Sequence, residues 1–87
     1  MIKIWGKLIK EDKILRSFVL EKLESMDYSK FFEYTSEICG ELDIPTPIVI
    51  KTHILNYAKY NFVRFTKEDF VEEISFDKLV LENIFGK

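Results

Sequence analysis

One histidine, one cysteine and a ladder of glutamates are the side chains whose types could carry chemistry in this chain. His53 could act as a general base or as a zinc ligand, and both roles need company. A base requires a nucleophile and an orienting carboxylate, and a zinc site requires further ligands at defined spacing. Neither pattern surrounds His53, which reads as a partly exposed residue near a helix start. With Tyr57, Tyr60 and Arg64 it forms the one set that could line a small-ligand pocket. Cys39 falls on the apolar stripe of a helix, so it reads as a buried structural thiol rather than a nucleophile.

Glu33, Glu37 and Glu41 stand at i, i+4 and i+8, where like charges cost roughly 0.2–0.5 kcal/mol per pair. They also crowd toward the negative end of the helix dipole, where cations are preferred. Carboxylates alone at helical spacing make a poor metal site. The ladder is either a solvated acidic face or a surface that meets basic groups, in this chain or on a partner. No catalytic residue, metal site or cofactor is assigned, and the chain leans away from enzymes.

The elements that position these groups are legible as patterns. Met26–Asp43 reads as one amphipathic helix, with Tyr28, Phe31, Phe32, Thr35, Ile38, Cys39 and Leu42 on a single stripe. Asp27 caps its start, Met26 and Phe31 form a staple, and Pro45 ends it near Leu42. Met1–Leu20 reads as a β-hairpin, because Ile2, Ile4 and Leu8, then Leu15 and Val19, recur at period two. Glu11-Asp12 is a poor primed turn, having neither Gly nor Asn, and a four-residue connection gives the same register. That register sets Ile9 against Ile14, Leu8 against Leu15, Trp5 against Phe18 and Ile4 against Val19. Its core face includes the small pair Gly6 and Ser17, which lets a helix approach closely.

The other hairpin face then carries Trp5, Phe18, Ile9, Ile14 and Leu20 interleaved with Lys3, Lys7 and Arg16. This is more apolar area than a monomer usually exposes. It is covered by the rest of the chain, by a second copy or another protein, or by stacked and neutralised single-stranded nucleic acid. Farther on, Ile48-Val49-Ile50 reads as a buried extended segment, and a helix from His53 to Tyr60 buries Ile54, Leu55 and Ala58 behind a Thr52 cap. Thr66 caps a short helix, Lys67–Glu73, that carries Phe70, Val71 and Ile74 inward. Lys78–Ile84 is a last strand paired with the hairpin, and Phe62, Phe65, Phe70 and Phe76 form an aromatic cluster.

Composition bounds the rest. The chain has 87 residues, 47% of them hydrophobic and 15% aromatic, enough for a real core in one small domain. A net charge of −2 favours neither a nucleic-acid tail nor a membrane surface. No long apolar run or leader pattern is present, and the single Cys leaves no disulfide framework, so a cytoplasmic location is expected. Charges come in blocks. Residues 31–50 carry four acidic groups and no basic ones, and residues 51–67 carry four basic groups and no acidic ones. The expected fold is α+β, an N-terminal hairpin and a C-terminal strand forming a small antiparallel sheet against two or three helices.

Leu42-Asp43-Ile44-Pro45-Thr46-Pro47-Ile48, Phe65-x-x-x-Asp69-Phe70 and Phe76-Asp77-x-Leu79, together with Trp5-Gly6-Lys7, resemble a group of small uncharacterised proteins from Firmicutes. The resemblance implies a compact bacterial α+β domain of unknown role and carries over no catalytic residue. The expected function is a non-catalytic protein-interaction module that pairs with a partner or with itself. Its interaction candidates are Lys3, Trp5, Lys7, Arg16, Phe18, Glu33, Glu37 and Glu41. The alternatives are a single-stranded nucleic-acid binder using the hairpin's basic and aromatic residues, and a small-ligand protein.

Overall fold

The computed structural model describes residues 1–85. Period-two patterning makes β1 (Ile2–Lys10) and β2 (Lys13–Lys22), which pair as an antiparallel hairpin. Glu11 and Asp12 both take left-handed φ, 52° and 64°, so the connection is a two-residue primed turn despite its residue types. A distant carboxylate holds it: the Glu11 N–H donates to Asp77 Oδ2 at 2.8 Å, and the Asp77 N–H donates to the Ile9 carbonyl at 2.8 Å.

Next to the turn, Ile9 opposes Ile14 and Lys10 opposes Lys13, as expected. An irregularity between Leu8 and Ile9 then shifts the pairing by one residue. Beyond it Leu8 meets Arg16, Gly6 meets Phe18, Trp5 meets Val19 and Ile4 meets Leu20. A one-residue slip exchanges the faces of a strand. Phe18 and Leu20 therefore turn toward the core, and Ser17 and Val19 turn away from it. The expected Trp5–Phe18 pair does not form.

The sheet has four antiparallel strands in the order β2-β1-β4-β3. The C-terminal strand β4 (Lys78–Asn83) pairs with β1, as expected, and β3 (Phe62–Thr66) adds an edge that the sequence reading left unassigned. Two helices, α1 (Phe31–Leu42) and α2 (Lys51–Tyr60), cover one face. The fold is α+β.

A short 3-10 turn, Tyr28–Lys30, precedes α1, and Asp27 caps it by accepting the Ser29 N–H at 3.0 Å. Helix α1 closes where Asp43 adopts a left-handed conformation and the Ile44 N–H returns to the Cys39 carbonyl. Its buried residues are Phe31, Tyr34, Thr35, Ile38, Cys39 and Leu42. Tyr28 and Phe32 are exposed, so the stripe is rotated from the expected one toward Tyr34. Ile38 sits directly over Gly6, where any Cβ would collide with its γ-methyl. The small residue expected to admit a helix does so, without Ser17.

Ile48 and Ile50 are half exposed in a loop rather than buried. Helix α2 buries His53 and Tyr57, while Leu55 and Ala58 face outward. The helix expected at Lys67–Glu73 is only a 3-10 turn, Lys67–Asp69, and Val71 is exposed. The capping contact itself forms, with the Thr66 N–H donating to Asp69 Oδ2 at 2.9 Å. Phe65, Phe70 and Phe76 join the core with Leu79 and Leu81, whereas Phe62 lies outside it.

Candidate functional site

The helices pack on the face of Ile4, Gly6 and Leu8, so residues of opposite parity on every strand point away from them. The registers place Val19, Trp5, Glu82 and Phe62 in one row across all four strands. Ser17, Lys7, Val80 and Arg64 make the next row, and Ile14, Ile9, Lys78 and Thr66 the third. Ile14, Val19 and Phe62 are exposed at 50%, 37% and 43%. No helix among the described residues lies over this side, and an apolar strip runs from one sheet edge to the other.

At its centre the Lys7 ammonium sits 4.2 Å from the Trp5 ring centroid and 3.0 Å from Glu82 Oε1. The face carries Lys3, Lys7, Arg64 and Lys78 against Glu21 and Glu82. Both signs are present, and the central cation is already neutralised.

The structure gathers some of the expected residues and separates others. Lys3, Trp5 and Lys7 share the open face. Arg16 and Phe18 belong to the opposite parity, where Phe18 packs against the core. Glu33 and Glu41 are exposed on α1, behind the sheet, and Glu37 pairs with Lys22 of the same chain at 3.2 Å. The ladder therefore lies across the sheet from Lys3 and Lys7, two of the basic residues expected to meet it in a partner copy.

The expected ligand-pocket set is also divided. His53 is buried, not partly exposed. Its Nδ1 accepts the Ile50 N–H at 3.0 Å, so the ring proton lies on Nε2, which faces Asp69 Oδ1 at 3.4 Å. Nδ1 thus ties the ring to the start of α2 while Nε2 faces the Lys67–Asp69 turn, and the ring lies tilted against Phe65 with centroids 4.5 Å apart. Tyr57 is buried against Phe31, with ring centroids 4.9 Å apart, and its hydroxyl has no hydrogen-bond partner among the described residues. Burial raises its pKa. Tyr60 and Arg64 line a cavity together with Asn56, Phe62, Val63, Thr66 and Lys78, and His53 and Tyr57 are not part of it. The sequence patterns put Val19 on the core face and Phe62 in the aromatic cluster, whereas both are exposed on the open face, and they give Val80 and Lys78 no place in the site. Alternation in Phe62-Val63-Arg64-Phe65-Thr66 was the available signal for β3.

Cys39 is buried, and desolvation pushes its thiol up to about 11 against a weaker opposing hydrogen bond from Thr46. Among the described residues no three His, Cys, Asp or Glu side chains gather as a metal site, and no helix is long and apolar enough to cross a membrane. Comparison with family models, curated proteins and solved structures gives no match.

Proposed function

We propose that this protein is a non-catalytic interaction module whose docking surface is the open sheet face, and that the first partner is a second copy. The observation that carries this reading is the uncovered apolar strip of Val19, Trp5, Val80, Phe62, Ile9 and Ile14 crossing all four strands. Two helices are spent on the opposite face. A face holding both signs of charge can complement itself across a two-fold axis, the commonest closed arrangement. Four strands at about 4.8 Å and six residues at about 3.3 Å give roughly 400 Å² in projection. That is a small contact, and it favours a reversible, micromolar dimer over an obligate one. A cytoplasmic setting agrees with the single buried thiol.

Single-stranded nucleic acid fits this face less well. Arg16 and Phe18 are not on it, Lys7 is neutralised by Glu82, and Glu21 would repel phosphate. Phosphate-driven binding would also fall steeply with salt, and none is expected here.

Trp5 is the chain's only tryptophan and sits mid-face, so its fluorescence reports the contact directly. From nanomolar to high-micromolar protein, emission should shift to the blue and acrylamide quenching should weaken. Emission and quenching that stay constant over that range would contradict the proposal.

A further inference from the structure

A groove of about 580 Å³ follows the outer edge of β3, within the range of ligand-binding clefts. Asn56 and Tyr60 of α2 form one wall, and Phe62, Arg64 and Thr66 of β3 with Lys78 of β4 form the other. β3 ends the sheet. The Asn83 N–H donates to the Asn61 carbonyl at 2.8 Å, which fixes the alternation of the β3–β4 ladder. Hydrogen-bonded pairs then fall at Val63/Leu81 and Phe65/Leu79, and the main-chain groups of Phe62 and Arg64 point to the free edge.

The lining is one-signed. It includes two cations and no carboxylate, and neither Arg64 nor Lys78 has an ion-pair partner among the described residues. A free anion would answer the cations but leave the outward main chain and the aromatic wall unused. An apolar strand would do the reverse. An extended segment with acidic side chains at alternate positions meets both demands, because its N–H and C=O groups extend the sheet while one row of side chains reaches the cations.

We propose that this groove binds an extended acidic peptide segment of a partner protein by strand addition to β3. The groove shares Phe62, Arg64, Thr66 and Lys78 with the open face but not Trp5, and its free main-chain edge on β3 takes no part in face-to-face pairing, so the two fail separately: Trp5→Glu, which removes pairing, should leave peptide binding intact.

The probe is a labelled heptapeptide of alternating valine and glutamate, followed by fluorescence anisotropy. Three comparisons accompany it: the glutamine counterpart, a version N-methylated at the amides that would face β3, and the probe with Arg64→Glu and Lys78→Glu proteins whose folding is checked by circular dichroism. Saturable binding should appear and weaken at least about tenfold with the glutamine peptide, with the N-methylated peptide and with either variant. No binding to the parent overturns the proposal. So does equal binding of the glutamine peptide, or equal binding by both charge-reversed variants. Equal binding of the N-methylated peptide overturns it too, in favour of a simple anion site.

Discussion

Phe31 and Phe32 place the same side chain at adjacent positions, and the fold uses them oppositely, at 0% and 54% exposure. Removing a buried ring costs its transfer free energy plus a cavity, so Phe31→Ala should destabilise by about 3–5 kcal/mol in urea denaturation. Phe32→Ala should change stability by no more than about 0.5 kcal/mol. Equal losses would mean that α1 is turned. Cys39 and Tyr57 make a second test, through pH. Both have folded-state pKa values raised mainly by burial, Cys39 to about 11 from 9.0. Folding therefore favours their neutral forms. That stability is complete below the unfolded thiol pKa, near 9, and is lost as pH climbs through about 11. Stability should fall over that window, less in Cys39→Ala, and the thiol should react quickly with a disulfide reagent only after unfolding. Residue-level chemistry was partly legible beforehand: Cys39 is the buried thiol its stripe implied. Tyr34 was not legible, because its phenol can serve either face. Its hydroxyl reaches back to accept the Asp27 N–H at 3.3 Å, so the ring is buried with its polar end satisfied.

At the scale of elements, the hairpin shows where periodicity stops being informative. Alternation located β1 and β2, but one irregularity between Leu8 and Ile9 exchanged the faces of most of β2. Both faces of β2 carry aliphatic residues, so the pattern alone could not set its phase. The sequence leaves the turn open between two connections for a related reason. Glu11 and Asp12 are poor choices for positive φ, and the stabilising partner, Asp77, lies 66 residues away from Glu11. Replacing Glu11-Asp12 by Asn-Gly should relieve backbone strain while keeping the main-chain donor to Asp77. A gain of about 1 kcal/mol is expected. A loss of stability would show that the Glu11 or Asp12 side chain matters beyond its φ. β3 went unassigned because its aromatic residues also suited a core cluster. The structure splits them by parity, with Phe65 inward and Phe62 outward.

For the whole molecule, the decisive feature is asymmetry. One sheet face supports α1, α2 and a continuous core, and the other presents an apolar strip with mixed charge. The class of fold followed from the order of strands and helices along the chain. The surface did not, since it depends on the hairpin phase and on β3. Scattered apolar residues elsewhere, such as Leu23 and Val71, are ordinary for a domain of this size. Sedimentation equilibrium at high-micromolar concentration tests the central claim most directly, on the parent, on Trp5→Glu and on Phe32→Glu as a control on the far side of the sheet. The parent and Phe32→Glu should sediment as reversible dimers, and Trp5→Glu as a monomer with unchanged circular dichroism. A monomeric parent, or a folded Trp5→Glu variant that still dimerises, would contradict it.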